Sequence, residues 1–268
     1  FPEPVLREAE QIPAAVRGEE IIGRTDLRQL QTVTIDNDDA RDLDDALSIE
    51  KRVNGNYLLG VHIADVAHSV VENSAMDKEA RKRGCSVYFP DRVLPMLPPR
   101  LSNGICSLNE GEDRLTLTVF IEIDPGGTVV FYELRESVIK VARRLSYSTV
   151  SAIIAGKEEV RRQYSDLVAD LELMDELRQV LKERRRQRGS IDFNFRERKV
   201  KLDDWGRPVA VELRERTVAD ELVEEFMVLA NEVIAEHVYW LNLPFIYRVH
   251  EKPNPEDLAF LREFLHNL

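Results

Sequence analysis

A disulfide framework, a membrane span and an excess of positive charge are all missing from this 268-residue chain. Its two cysteines, Cys85 and Cys106, are too few to staple a fold. They fit a reducing, cytoplasmic compartment in which each serves as a small apolar residue. No apolar run approaches the roughly eighteen residues that would cross a bilayer, so no membrane partner is expected. The opening FPEPVLREAEQ has neither a basic start nor an apolar core, which excludes a signal peptide, and its first residue points to a processed or partial chain. No GxSxG elbow occurs and neither cysteine has an evident histidine partner, which excludes the common nucleophilic triads. Gly126-Gly127 is followed by no lysine, so there is no phosphate-cradling loop. Lys and Arg number 37 against 49 Asp and Glu, for a net charge of −12. That balance argues against a generic nucleic-acid coat, whose affinity comes from basic side chains, although a bound metal or a local patch can reverse the sign where it matters.

What is present is an ordinary globular composition, 43% apolar and 32% charged, long enough to bury a substantial core. Residues 1–30, with Pro2, Pro4, Pro13 and Gly23 among charges, read as a linker or lead-in segment. Strands over 46–52 and 56–63 flank an Asn54-Gly55 turn, a strong hairpin signal. Ser74, Asp77 and Gly84 bracket a short helix ending at Arg83. Four prolines within 89–101 mark an irregular loop. The alternation of Leu115, Leu117, Val119 and Ile121 makes a strand, and Asp124–Gly127 turns it back into 128–140. Helices follow over about 148–155 and 158–187, then a small hairpin over 191–200 and 208–214. Thr217 and Asp220 start a long amphipathic helix to about Leu241, and Asn254-Pro255 begin a last one. The order predicts an α+β fold: a single mixed domain over 31–268 with an antiparallel sheet and packed helices.

The densest chemistry lies in TIDNDDARDLDD (34–45), with six aspartates inside ten residues. Apolar residues flank it, so the run reads as a tight excursion at a sheet edge. Carboxylates packed together raise one another's pKa values, and a divalent cation removes that penalty. Hard oxygen donors with room for water suit magnesium, or manganese in its place. A calcium loop fits poorly, since Ala40 breaks the ligand alternation and no glutamate closes the twelfth position. A solvated acidic loop is the competing reading, against which stand the apolar spacer Leu43 and the strand that follows. From Arg178 to Lys201 ten basic residues stand against three acids, which reads either as a local phosphate-gripping patch or as a solvated helix end. His62, Asp65 and His68 recur every third residue, but they run from strand into turn and read as structural rather than as zinc ligands.

TIDNDDARDLDDALSIE resembles the signature of the ribonuclease II / ribonuclease R family, whose catalytic domain is called RNB. GVHIADVAHSV (60–70), GCSVYFPDRVLPMLP (84–98), SLNEGEDRLTLTV (107–119), GSIDF (189–193), ELVEEFMVLAN (221–231) and RVHEKP (248–253) follow in the family's order. The resemblance implies a metal-dependent exoribonuclease that degrades single-stranded RNA from its 3′ end, processively, by hydrolysis to 5′ nucleotides. It implies that Asp36, Asp42, Asp44 and Asp45 are the metal-site aspartates, with Asp44 the most important for turnover. Two ions some ~3.5–4 Å apart would then serve an in-line displacement. Tyr88 and Phe193 match positions that pack on bases, where the bland alternative is a core aromatic. Glu224 matches a ribose contact, where the alternative is a helix-surface acid. Asp38 and Asp39 lie off the pattern. The family's SPIRRYxDL-like segment does not occur before Leu268, so the domain is expected to be incomplete at its C-terminus. Cold-shock-like and S1 RNA-binding domains are expected to flank it in a longer protein. Two other readings stay open: an RNB-like chain that holds RNA without turning it over, and a phosphohydrolase acting on a different ester.

Overall fold

A seven-stranded sheet organises the chain in the computed structural model, which describes residues 1–191, 197–203, 205–249 and 251–267. Helix α1 (Glu3–Gln11) and the short α2 (Gly18–Ile21) lead into β1 (Thr25–Asp26), β2 (Val33–Asp36), β3 (Asp45–Lys51) and β4 (Tyr57–Ala64). Next come α3 (Val66–Ser69), α4 (Ala75–Arg83), β5 (Val87–Tyr88), β6 (Val93–Leu94), β7 (Asp113–Ile123), β8 (Val129–Lys140) and β9 (Arg143–Ser146). The remainder is α5 (Tyr147–Ile154), α6 (Glu158–Gln163), α7 (Val168–Gln187), β10 (Glu197–Leu202), β11 (Pro208–Arg214), α8 (Val218–Trp240) and α9 (Pro255–His266). Helices and a multistrand sheet give the mixed α and β class expected from the sequence. The sheet order is β1-β8-β7-β4-β3-β2-β9. Its centre is antiparallel, whereas both edges pair in parallel, β1 with β8 and β2 with β9.

The chain divides into two compact units, Phe1–Ala230 and Asn231–Leu268. The second holds the end of α8, where the Tyr239 and Trp240 rings meet edge to face at 5.2 Å, and α9, capped by Asn254, whose Oδ1 accepts from the Glu256 amide. Within the first unit, local signals are realised closely. Gly55 takes a positive φ in the β3–β4 turn. Ser74 caps α4 by accepting from the Asp77 amide at 3.1 Å, and Gly84 follows its last residue. Residues 1–30 are ordered against this unit: Val5 and Ala9 of α1 are buried with Met76, Leu97, Leu101 and Cys106. The expected helix over 158–187 is instead two helices, broken at Tyr164–Leu167. There Ser165 and Asp166 favour turn geometry over continued helix, and the Asp166 carbonyl accepts from the Gln31 side chain. The proline-rich loop contains a two-stranded ribbon, β5 with β6, closed at Pro90 by a Phe89 amide to Arg92 carbonyl bond of 2.8 Å.

His62 is fully buried on β4, between the Ser48 hydroxyl (Nε2, 3.0 Å) and the Thr118 hydroxyl (Nδ1, 2.8 Å). Gly60 beside it admits no side chain, since a Cβ there would lie 2.2 Å from Ser48 Oγ. Burial pushes the His62 pKa down to about 3. The unfolded chain, with an ordinary histidine, therefore takes up a proton that the folded chain refuses as pH falls below about 6.5. Stability contributed by neutral His62 is complete above that pH and is lost on acidification toward pH 3, at about 1.4 kcal/mol per pH unit. Thermal unfolding measured between pH 6.5 and 4.5 should show this slope, and His62→Gln should remove about one proton of linkage; an unchanged slope would contradict the assignment.

Candidate active site

The acidic excursion connects β2 to β3, and its shape is fixed by bonds to its backbone. Thr34 and Ile35 are buried in β2, which leaves Asp36 at the strand's end, paired in parallel with Ser146 of β9. Ala40 closes a turn onto the Asn37 carbonyl at 3.1 Å. The Arg144 guanidinium, projecting from β9, donates to the carbonyls of Asp38 (3.1 Å) and Ala40 (2.6 Å). Ser107 Oγ donates to the Arg41 carbonyl at 2.9 Å and accepts from the Leu43 amide at 3.1 Å. The Leu43 carbonyl accepts from Leu108, and the Asp44 carbonyl from Ala64, both at 2.9 Å. The Leu43 side chain, 1% exposed, is buried with Ala46, Ala64, Leu108, Ile139 and Val141. One apolar side chain pointing inward thus aims its acidic neighbours outward on both sides.

The four aspartates share one electrostatic neighbourhood. The Asp45 carboxyl is pushed up to about 6, by burial first and then by the charges of Asp36 and Asp44. Asp36 is raised by burial and by Asp42 and Asp39, partly offset by the Asn37 amide on its Oδ1 (2.7 Å) and by Arg144. Asp44 still faces solvent, yet partial burial and then Asp42 and Asp36 raise it too. Asp38 and Asp39 are exposed. Among the described residues no group of three or more Asp, Glu, His or Cys side chains is gathered closely enough to hold a metal ion. The donors are all hard oxygens and they destabilise one another's charge, with Arg144 opposing only that of Asp36. That chemistry fits a divalent ion better than it fits an unoccupied cluster.

Tyr88, on the β5–β6 ribbon, reaches this group directly. Its hydroxyl donates to Asp42 Oδ2 at 2.5 Å while its side chain stays 63% exposed. That bond, then partial burial, pushes the phenol up to about 12. Phe193 lies outside the described residues. Glu224, on α8, is held by Arg185 at 3.2 Å and by Arg216. Three residues of the basic stretch are taken up in the same way. Arg178 and Lys182 of α7 pair with Glu221 at 2.8 Å, and Arg185 also meets Glu225 at 2.7 Å. These residues make an ion-pair seam between α7 and α8, not an open cationic face. His62, Asp65 and His68 do not converge: Asp65 binds Arg24 at 2.6 Å, and His68 binds Glu20 at 3.0 Å.

Sequence reasoning missed Arg144, Ser107 and Tyr147. Tyr147, at the start of α5, is pushed up to about 12 by burial and by Asp36, Asp45 and Asp220. Ser107 opens the SLNEGEDRLTLTV segment but nothing there points to the acidic loop, and no local motif marks Arg144 or Tyr147, because β9 pairs in parallel with the distant β2.

Residues 24–268 match the family described as the RNB domain. The chain is 52% identical to Ribonuclease R of Thermotoga maritima over 268 residues, covering 99% of this chain and 37% of that protein. It is 47% identical to Ribonuclease R 1 of Lactococcus lactis, over 98% of this chain and 32% of that one. Mycoplasma genitalium RNase R, solved in complex with ribose methylated single-stranded RNA, superposes with a TM-score of 0.92 at 30% identity, covering all of this chain and 42% of that one. The chain therefore spans about a third of the length of the curated relatives it matches.

Proposed function

This chain belongs to the RNB domain family, and from that membership we propose that it carries the catalytic site of a metal-dependent 3′→5′ exoribonuclease. In this reading single-stranded RNA is hydrolysed processively to 5′ nucleotides. Residues 31–268 form the catalytic domain, residues 1–30 lead into it, and flanking RNA-binding domains belong to the longer protein. The observation that carries the reading is the mutual charge coupling of Asp36, Asp42, Asp44 and Asp45 beside the exposed Tyr88 ring.

Asp36, Asp42, Asp44 and Asp45 would hold magnesium or manganese, which when bound activates water and stabilises the leaving 3′ oxygen. The protein's own part is to orient. Ser107 and Arg144 hold the loop carbonyls, Leu43 fixes the direction of its neighbours, and Tyr88 and Phe193 offer rings on which any base can stack. Glu224 stands as the ribose contact, once its arginine partners yield.

Incubating 5′-labelled single-stranded RNA with the protein and magnesium tests this reading. Products shortening stepwise from the 3′ end are expected, and none when the metal is chelated. Retarded but intact RNA would favour a binding role, and hydrolysis of small phosphate esters without RNA decay would favour another substrate.

A further inference from the structure

The Tyr88–Asp42 contact joins two parts of the site that have separate duties, a carboxylate that would hold a cation and a ring that would hold a base. A short O–H···O⁻ bond to an ionised acceptor is among the stronger hydrogen bonds a protein makes. Here it is 2.5 Å long, and it links residues 46 positions apart in the sequence. The Tyr88 ring has no deep socket of its own: the side chain is 63% exposed, and its neighbours Val87, Phe89, Val93 and Leu94 on the ribbon are exposed as well. Among the described residues the hydroxyl is thus the specific tether between the ring and the acidic loop. At the same time the aspartates, though their charges are coupled, are not gathered closely enough among the described residues for three of them to hold an ion together.

We propose that the Tyr88 hydroxyl is a latch on Asp42, so that cation binding at the acidic site and release of the Tyr88 ring toward a base are positively coupled. The inference rests on the metal-site reading above and adds a regulation to it. A phenol proton and a divalent cation draw on the same carboxylate electron density, so each weakens the hold of the other on Asp42. By thermodynamic reciprocity, whatever draws the ring away, including a stacked base, raises cation affinity by the same factor by which the cation favours ring release. In the RNA-free protein the latch keeps Asp42 partly neutralised and the ring parked. With RNA present, the base and the cation arrive together.

Tyr88→Phe separates the two duties, because it keeps the ring and removes the hydroxyl. Manganese binding to the 268-residue chain without RNA, read from the EPR signal of the free ion, is the measurement. Tyr88→Phe is expected to bind manganese about fivefold more tightly than the parent chain. In an Asp42→Asn background the same change should have no effect, since the acceptor charge is gone. Circular dichroism of each variant shows whether the fold is kept, and Tyr88, being exposed, tolerates the change. Equal affinities in the parent and Tyr88→Phe would overturn the latch while leaving the carboxylate site standing. No manganese binding by either protein would overturn both.

Discussion

Asp44→Asn is expected to abolish RNA turnover, by on the order of 10³-fold or more, while leaving RNA binding nearly intact. That loss corresponds to about 4 kcal/mol of barrier. Asp44 lies at the open side of the acidic group, where its charge meets those of Asp36 and Asp42. Its backbone is independently held, because its carbonyl accepts from the Ala64 amide at 2.9 Å. An asparagine therefore keeps the loop in place and removes one negative charge and one cation-binding oxygen. Binding survives because the rings proposed to stack on bases are untouched. The check is a labelled-RNA decay rate beside a gel-shift titration of the same variant. Turnover within a few-fold of the parent would refute the role given to Asp44.

Leu43→Ala is expected to cost about 2–5 kcal/mol of stability, the usual range for truncating a buried leucine. In a chain of this size that lowers Tm by roughly 5–15 °C. Leu43 is 1% exposed and packs where β3, the 107–108 segment and the end of β8 meet. Its removal also unseats Asp42 and Asp44, which flank it, so activity should fall at temperatures where the variant is still folded. Calorimetry with parallel rate measurements separates the two effects. A variant with normal Tm and normal turnover would show that the spacer does not aim its neighbours.

How much of this was readable in the chain depends on the distance over which each feature is decided. The Asn54-Gly55 turn, the Ser74 cap and the β7–β8 hairpin are set by residues a few positions apart, and the structure has them where composition placed them. Leu43 was legible as an anchor because an apolar residue among aspartates has nowhere else to go. The parallel edge formed by β9 was not, since pairing Val33 with Arg143 spans more than a hundred residues and leaves no local pattern. With it went Arg144 and Tyr147. The cationic stretch left two readings open for a related reason: the acids that pair with Arg178, Lys182 and Arg185 stand on α8, some forty positions further along. The proline-rich segment looked irregular, yet Pro90 initiates the turn that carries Tyr88 to Asp42.

The account stands on a divalent ion held by the acidic loop. Crystals soaked in manganese and measured at its absorption edge would locate that ion directly by anomalous scattering. The account predicts a peak about 2.0–2.2 Å from carboxylate oxygens drawn from Asp36, Asp42, Asp44 and Asp45. A fully loaded crystal with no peak among these four side chains, and manganese bound elsewhere, would contradict it.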